Sequence, residues 1–188
     1  MNAYLRHLPN AISVARIILV GPIVLALLQE RFEAAIWLFL VAGASDGLDG
    51  FLAKRFGWTS RLGGILDALA DKLLLVSTFI CLWWLGLFPW WLVVAVLGRD
   101  LIIVIGATVY NFRIETVQPE PSVMSKLNTF LQIALVAAGV VELGFGGVPG
   151  GVIQVLIAAV MVTVVLSGAG YVRVWSRRAR AGGIHGHE

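Results

Sequence analysis

An all-α integral membrane protein, a bundle of six transmembrane helices, is the fold class this sequence predicts. Three observations lead there. Of the 188 residues, 59% are hydrophobic and only 13% are charged, whereas soluble domains carry roughly 25% charged residues. The apolar residues fall in long runs, and a hydrocarbon core about 30 Å thick needs roughly 20 such residues per helix. The runs lack period-two alternation, which selects helices over a barrel as the way to satisfy the backbone in lipid. No repeat, low-complexity block or second domain interrupts the pattern, so residues 1–188 read as one transmembrane domain.

The elements follow in order. Residues 1–10 form a short interfacial lead-in, with Pro9 placed in a first helical turn, where its missing N–H is harmless. The first span covers 11–28 and lacks a small-residue cleavage site, so it is expected to stay as a span. Arg16 stands inside it, either snorkelling to the headgroups or contacting phosphate. A polar turn with Gln29, Glu30 and Arg31 precedes a second span over 32–53. Lys54, Arg55 and Arg61 make a basic turn with Trp58 at the interface. The third span covers 62–85. Trp83, Trp84, Trp90 and Trp91 gather around the next turn as an aromatic belt.

The fourth span, 92–112, carries Arg99-Asp100, whose side chains leave the helix about 100° apart and are expected to meet different partners. A polar segment with Pro119 and Pro121 precedes the fifth span, 127–143. A glycine-rich turn leads to the sixth, 152–174. Residues 175–188 form a loose basic and polar tail, whose arginines rest on anionic lipid and whose His185 and His187 read as solvated. Cys81, the only cysteine, reads as a small buried thiol. Basic residues concentrate at one side of the membrane, with Arg31 alone on the other. The positive-inside rule then makes both termini cytoplasmic, as in a bacterial inner membrane. A net charge of +3 spread in this way suggests membrane lipids as partners and no nucleic acid.

Four carboxylates break the apolar pattern. Asp46 and Asp49 are an i,i+3 pair near the end of the second span, and Asp67 and Asp71 an i,i+4 pair near the start of the third. Each pair shares a helix face, and both lie toward the same, cytoplasmic side. On insertion scales each carboxylate costs roughly 2.5–3.5 kcal/mol in a membrane helix. Four like charges also repel unless a cation sits among them. Hard divalent cations suit such oxygen ligands, Mg²⁺ above all, with phosphate completing the shell. Gly50 and Gly63 would let a bulky ligand approach the backbone. Ion pairs with Lys54, Arg61 and Lys72 are the structural alternative. A cation- or proton-coupled transporter is the alternative of another class, although transporter sites lie near the midplane between repeats. A non-catalytic scaffold is a third.

The run Asp46-Gly47-Leu48-Asp49-Gly50-Phe51-Leu52-Ala53-Lys54, followed after eight residues by Gly63-Gly64-Ile65-Leu66-Asp67-Ala68-Leu69-Ala70-Asp71, resembles the signature of the CDP-alcohol phosphatidyltransferases. Lys54 stands where that family usually has arginine, and it lacks the planar fork that grips phosphate. The stretch from Pro9-Asn10 through Ser13 to Arg16 is similar to the family's N-terminal Pro-Asn-x2-Thr-x2-Arg. The resemblance implies transfer of a phosphatidyl group from CDP-diacylglycerol to an alcohol, with release of CMP. It implies two metal ions, Mg²⁺ or alternatively Mn²⁺, held by Asp46, Asp49, Asp67 and Asp71, with Asp71 also the catalytic base. It implies a nucleotide pocket from Asp49, Gly50, Ala53, Lys54, Arg61 and Gly63. It further implies a homodimer, for which Gly139, Gly168 and Gly170 permit close helix contact.

Acceptor or phosphate contacts are expected from Asn10, Arg16, Arg99 and Lys126. Arg99-Asp100, Pro121-Ser122 and the Ser125-to-Thr129 run look most like the CMP-forming cardiolipin synthases, which use phosphatidylglycerol as acceptor. Phosphatidylglycerophosphate synthases, which use glycerol-3-phosphate, typically carry a second arginine eight residues after the first. Here Ala107 holds that place, and that enzyme is the alternative.

Overall fold

The computed structural model describes residues 8–56, 58, 61–113 and 123–182. Those residues form six helices and no strand: α1 (Leu8–Leu28), α2 (Phe32–Phe56), α3 (Arg61–Trp84), α4 (Trp90–Arg113), α5 (Val123–Phe145) and α6 (Gly150–Gly182). Four of them contain stretches long and apolar enough to cross a membrane, at Leu8–Leu28, Phe32–Leu52, Val123–Phe145 and Gly150–Gly170. The other two are α3, with Asp67, Asp71 and Lys72, and α4, with Arg99 and Asp100.

Around an apolar core, the surface is also apolar and several charged or polar side chains lie inside. Ile18, Trp37, Val155 and Val165 are exposed, while Arg16, Asp49, Arg99, Asn128 and Gln132 are buried. Large apolar side chains facing outward over whole helices are a liability in water and the normal state in lipid. The chain is consistent with an integral membrane protein.

The chain divides into two compact units. In the first, α1 packs against both α2 and α3. Its core includes Ile23, Leu27, Ala35, Phe79, Leu82, Val136 and Val140. Leu28 is followed by a left-handed turn in which Glu30 takes φ 58°. There Arg31 N–H reaches Ala26 O at 2.8 Å and Glu30 N–H reaches Leu27 O at 3.1 Å. The end of α3 closes in the same way, with Gly86 at φ 78° and Leu87 N–H on Leu82 O at 2.9 Å. Both are Schellman stops that satisfy helix-end carbonyls, and the second uses the residue type best suited to positive φ.

The late part of α5 also belongs to this unit. Gly139 lies against Leu82, Leu87 and Phe88, and a Cβ on Gly144 would stand 2.6 Å from Ile36 Cδ1. Gly139 is thus used for packing inside the chain, whereas Gly168 and Gly170 face open space. In the second unit α4 packs against α6, over a core with Leu92, Val96, Leu135, Val160 and Val164.

Two sequence expectations are corrected. Helix α6 continues to Gly182, into the stretch expected to be a loose tail from residue 175. Its last turns hold Ala179, Ala181 and three arginines, which are good helix formers with charge suited to a helix C-terminus. At the other end, Leu8, Pro9 and Asn10 open α1, with Pro9 in its first turn as expected, so the lead-in boundary drawn at residue 10 moves to residue 8. Residues 1–7, Pro119 and Pro121, and the histidines of 183–188 lie outside the described residues.

Candidate functional site

Helical spacing brings the four carboxylates together. Asp46 and Asp49 come from the last third of α2, and Asp67 and Asp71 from the first third of α3. Both helices lean on α1. Carboxylate oxygens of Asp46, Asp49 and Asp67 all lie within 4.8 Å of one another. Ligands on one Mg²⁺, at about 2.0–2.1 Å from it, are roughly 3–4 Å apart. Small side-chain rotations would therefore close the set around an ion, and an all-oxygen, strongly anionic donor set fits a hard divalent cation. Asp46, Asp67 and Asp71 are nearly half exposed, at 45%, 42% and 45%, while Asp49 is 4% exposed. The cluster is open on one side and closed at Asp49.

Arg16 forms the closed side. Its side chain is 0% exposed, and its guanidinium touches all four carboxylates. Nη1 lies 2.7 Å from Asp46 Oδ1, 3.1 Å from Asp67 Oδ1 and 2.7 Å from Asp71 Oδ1. Nη2 lies 2.7 Å from Asp49 Oδ2. A snorkelling arginine would have an exposed guanidinium, whereas this one is enclosed and paired with the acids. Ser13, one turn earlier on the same face, donates to Asp49 Oδ2 at 3.2 Å and to Pro9 O at 3.2 Å. Asn10, a further turn back, is half-buried. The Asn10-Ser13-Arg16 face of α1 thus runs alongside α2 and α3.

Among the other residues singled out by sequence, Gly50 sits one position after Asp49, and a Cβ there would enter open space. Gly63 is half-buried one turn before Asp67. Ala53 and Lys54 lie on α2 and Arg61 opens α3, and their side chains are outside the described residues.

The second unit holds a separate polar cluster. Arg99 and Asp100 pair with each other, Nη1 to Oδ1 at 2.8 Å, which corrects the expectation that they would find different partners. Adjacent Cβ atoms diverge, but an arginine is long enough to fold back over its neighbour. The other end of the fork does reach other helices: Nη2 donates to Ser125 Oγ on α5 and Ser167 Oγ on α6, both at 2.7 Å. Thr163 on α6 donates to Asn128 Oδ1 on α5 at 2.9 Å. Lys126, exposed, lines a groove of about 370 Å³ with Ser125, Thr129, Phe130 and Ile133.

Gln132, Thr163 and Ser167 carry no role in the sequence reading, and Ser125 enters it only as part of the Ser125-to-Thr129 run. A signal was available. Ser125, Asn128 and Gln132 fall at i, i+3 and i+7 on α5, and Thr163 and Ser167 at i, i+4 on α6, in otherwise apolar helices. Such spacing marks one buried polar face.

Comparison with known proteins adds the following. The family model for CDP-alcohol phosphatidyltransferases matches residues 6–167. Cardiolipin synthase (CMP-forming) of Rattus norvegicus is 33% identical over 147 residues, covering 70% of this chain and 49% of that protein. A CDP-diacylglycerol–glycerol-3-phosphate 3-phosphatidyltransferase of Aquifex aeolicus is 34% identical over 142 residues, covering 72% of this chain and 77% of that protein. A protein of Mycobacterium tuberculosis named a probable phosphatidylglycerophosphate synthase is 31% identical over 178 residues, covering 91% of this chain and 82% of its own length. The chain spans about half the length of the mammalian cardiolipin synthases it matches.

Proposed function

The chain belongs to the CDP-alcohol phosphatidyltransferase family, and from that premise we propose that it makes phospholipid by moving a phosphatidyl group from CDP-diacylglycerol to an alcohol, releasing CMP. The family is divalent-metal dependent. The observation that carries the proposal is the meeting of four carboxylates from helices α2 and α3 at one open cluster. A structural or relay role needs fewer acids, and a scaffold needs none.

In this reading Asp46, Asp49, Asp67 and Asp71 would hold two ions, Mg²⁺ or Mn²⁺, beside the diphosphate. Bound there, the ions would neutralise charge on the departing CMP and polarise phosphorus. The acceptor hydroxyl oxygen bonds to the lipid-side phosphorus as the bond from that phosphorus to the CMP oxygen breaks. The hydroxyl proton goes to Asp71, a carboxylate within reach of general-base work. Gly50 leaves room for the nucleotide, and Lys54 and Arg61 contact its phosphates. Arg99 and Lys126 receive the acceptor. Six spans, a cytoplasmic active site with cytoplasmic termini, and a homodimer complete the proposal.

Phosphatidylglycerol is the acceptor we favour, because Arg99-Asp100 lacks a second arginine at Ala107 for a free phosphate dianion. Glycerol-3-phosphate is the second reading. The two phosphatidylglycerophosphate-type relatives match over most of their own length, which the mammalian cardiolipin synthases do not. The test is to supply purified protein with CDP-diacylglycerol and Mg²⁺ and offer each alcohol separately. Cardiolipin as product supports the first reading. Phosphatidylglycerophosphate alone replaces it with the second.

A further inference from the structure

The Arg16 guanidinium is not satisfied as a permanent ion pair would be. Nη1 carries two hydrogens yet faces three carboxylate oxygens, those of Asp46, Asp67 and Asp71, at 3.1 Å or less. Nε, buried, has no acceptor. A guanidinium prefers to spend its planar fork two bonds at a time on one carboxylate or phosphate. Here one nitrogen is oversubscribed while another donates nothing. A point occupied by Nη1 and ringed by three oxygens suits a spherical cation, which has no directional hydrogens, better than it suits an arginine. Charge points the same way: one positive group against four negative ones leaves a formal surplus of three, which further cations would cancel.

We propose that Arg16 is a resident counter-ion that holds the four carboxylates together until divalent ions take them, and that it then transfers its fork to the diphosphate of the incoming nucleotide lipid. The proposal rests on the metal-and-diphosphate reading of this cluster given above. Arg16 and the ions compete for the same oxygens. A diphosphate favours the ions twice, by ligating them directly and by giving the displaced guanidinium, including Nε–H, a better partner. Metal and nucleotide therefore strengthen each other's binding, and by linkage the effect is mutual. Arg16 is a positioning residue in the metal-free state and a phosphate contact in the loaded one. The closure of its side chain under the half-exposed acids (0% against 42–45%) means that ions can enter from the open side while Arg16 yields from below.

The test uses Mn²⁺ as the ion and CDP as a soluble diphosphate, with bound Mn²⁺ measured by electron paramagnetic resonance on the full chain in detergent. Wild-type protein is expected to bind Mn²⁺ about 10-fold or more tightly when CDP is present, within the usual range of coupling between sites. Arg16→Gln is expected to bind Mn²⁺ severalfold more tightly than wild type without CDP, and to lose most of the enhancement by CDP. Arg16→Lys keeps a competing charge without the fork, so it should bind Mn²⁺ weakly alone and gain less from CDP than wild type does. If Arg16→Gln does not purify as a folded protein, Arg16→Lys decides the matter, and an undiminished CDP effect in it overturns the proposal. So does Arg16→Gln binding Mn²⁺ no more tightly than wild type, with helical content unchanged. Wild-type protein that takes up Mn²⁺ but ignores CDP overturns the role of Arg16 alone. Protein that takes up no Mn²⁺ in either condition overturns the metal reading, and this proposal with it.

Discussion

Arg16 Nη2 and Asp49 Oδ2 lie 2.7 Å apart, with the arginine side chain fully enclosed and the aspartate 4% exposed. Among the four Arg16 ion pairs, this is the one closed from both sides. The remaining carboxylates are 42–45% exposed, whereas Asp49 is enclosed.

Stability should follow that asymmetry. Removing one partner of a buried pair strands the other charge, at about 3–5 kcal/mol. Arg16→Met in chelator-treated detergent solution should therefore lose stability on that scale, and excess Mg²⁺ should restore part of it. Asp46→Asn, at a half-exposed position, should change stability by less than about 1 kcal/mol. Thermal unfolding followed by circular dichroism checks both, and equal effects would refute the asymmetry.

Asp71 and Asp67 should separate. Asp71 shares Arg16 Nη1 with Asp46 and Asp67, but the set of oxygens close enough for one ion is drawn from Asp46, Asp49 and Asp67. Asp71→Asn is expected to lower turnover by about 10²- to 10⁴-fold, the usual share of a general base, while losing less Mn²⁺ affinity than Asp67→Asn, because Asp67 belongs to the closest oxygen set. Asp67→Asn should lose Mn²⁺ affinity as well. Turnover and Mn²⁺ binding measured on the same preparations distinguish the two roles.

Arg99 holds Asp100, Ser125 and Ser167 at once. A lysine keeps the charge but not the fork. Arg99→Lys is expected to raise the acceptor KM about 10-fold, equivalent to roughly 1.4 kcal/mol, and to leave the KM for CDP-diacylglycerol nearly unchanged. Equal changes in both would remove Arg99 from the acceptor site.

Gly144 offers a test of packing away from the chemistry. A Cβ there would meet Ile36 Cδ1 at 2.6 Å, so Gly144→Ala should destabilise by about 1–3 kcal/mol through overpacking. Ile36→Val removes that Cδ1. The double variant should recover most of the loss, giving a coupling between contacting residues that a thermal-unfolding cycle would read.

The carboxylate cluster was legible because helical period alone puts Asp46 with Asp49 and Asp67 with Asp71, and a short turn joins their helices. Arg16 was visible as an intramembrane charge, but not as the common partner of all four acids. Those contacts cross 30 to 55 positions of sequence, which no local pattern encodes. The Arg99–Asp100 pair was misjudged for a different reason: helix geometry gives the direction of Cβ, while the end of a long side chain depends on rotamers and neighbours. The contacts of Ser125 and Ser167 with Arg99 were missed because hydroxyls are common in membrane helices, where they often bond their own backbone. The last turns of α6 were missed because basic, polar composition was taken as loose chain, although alanine and arginine favour helix.

In the proposed reaction the carboxylates of α2 and α3 work with a divalent ion to split a CDP-lipid. The direct measurement is CMP released by the purified full chain from CDP-diacylglycerol in the presence of phosphatidylglycerol or glycerol-3-phosphate, with Mg²⁺ and then with excess chelator. CMP release is expected with Mg²⁺, with loss on chelation and return when Mg²⁺ is added back. Release that persists unchanged under chelation, or in a protein with Asp46, Asp49, Asp67 and Asp71 all changed to Asn, would contradict the proposed reaction.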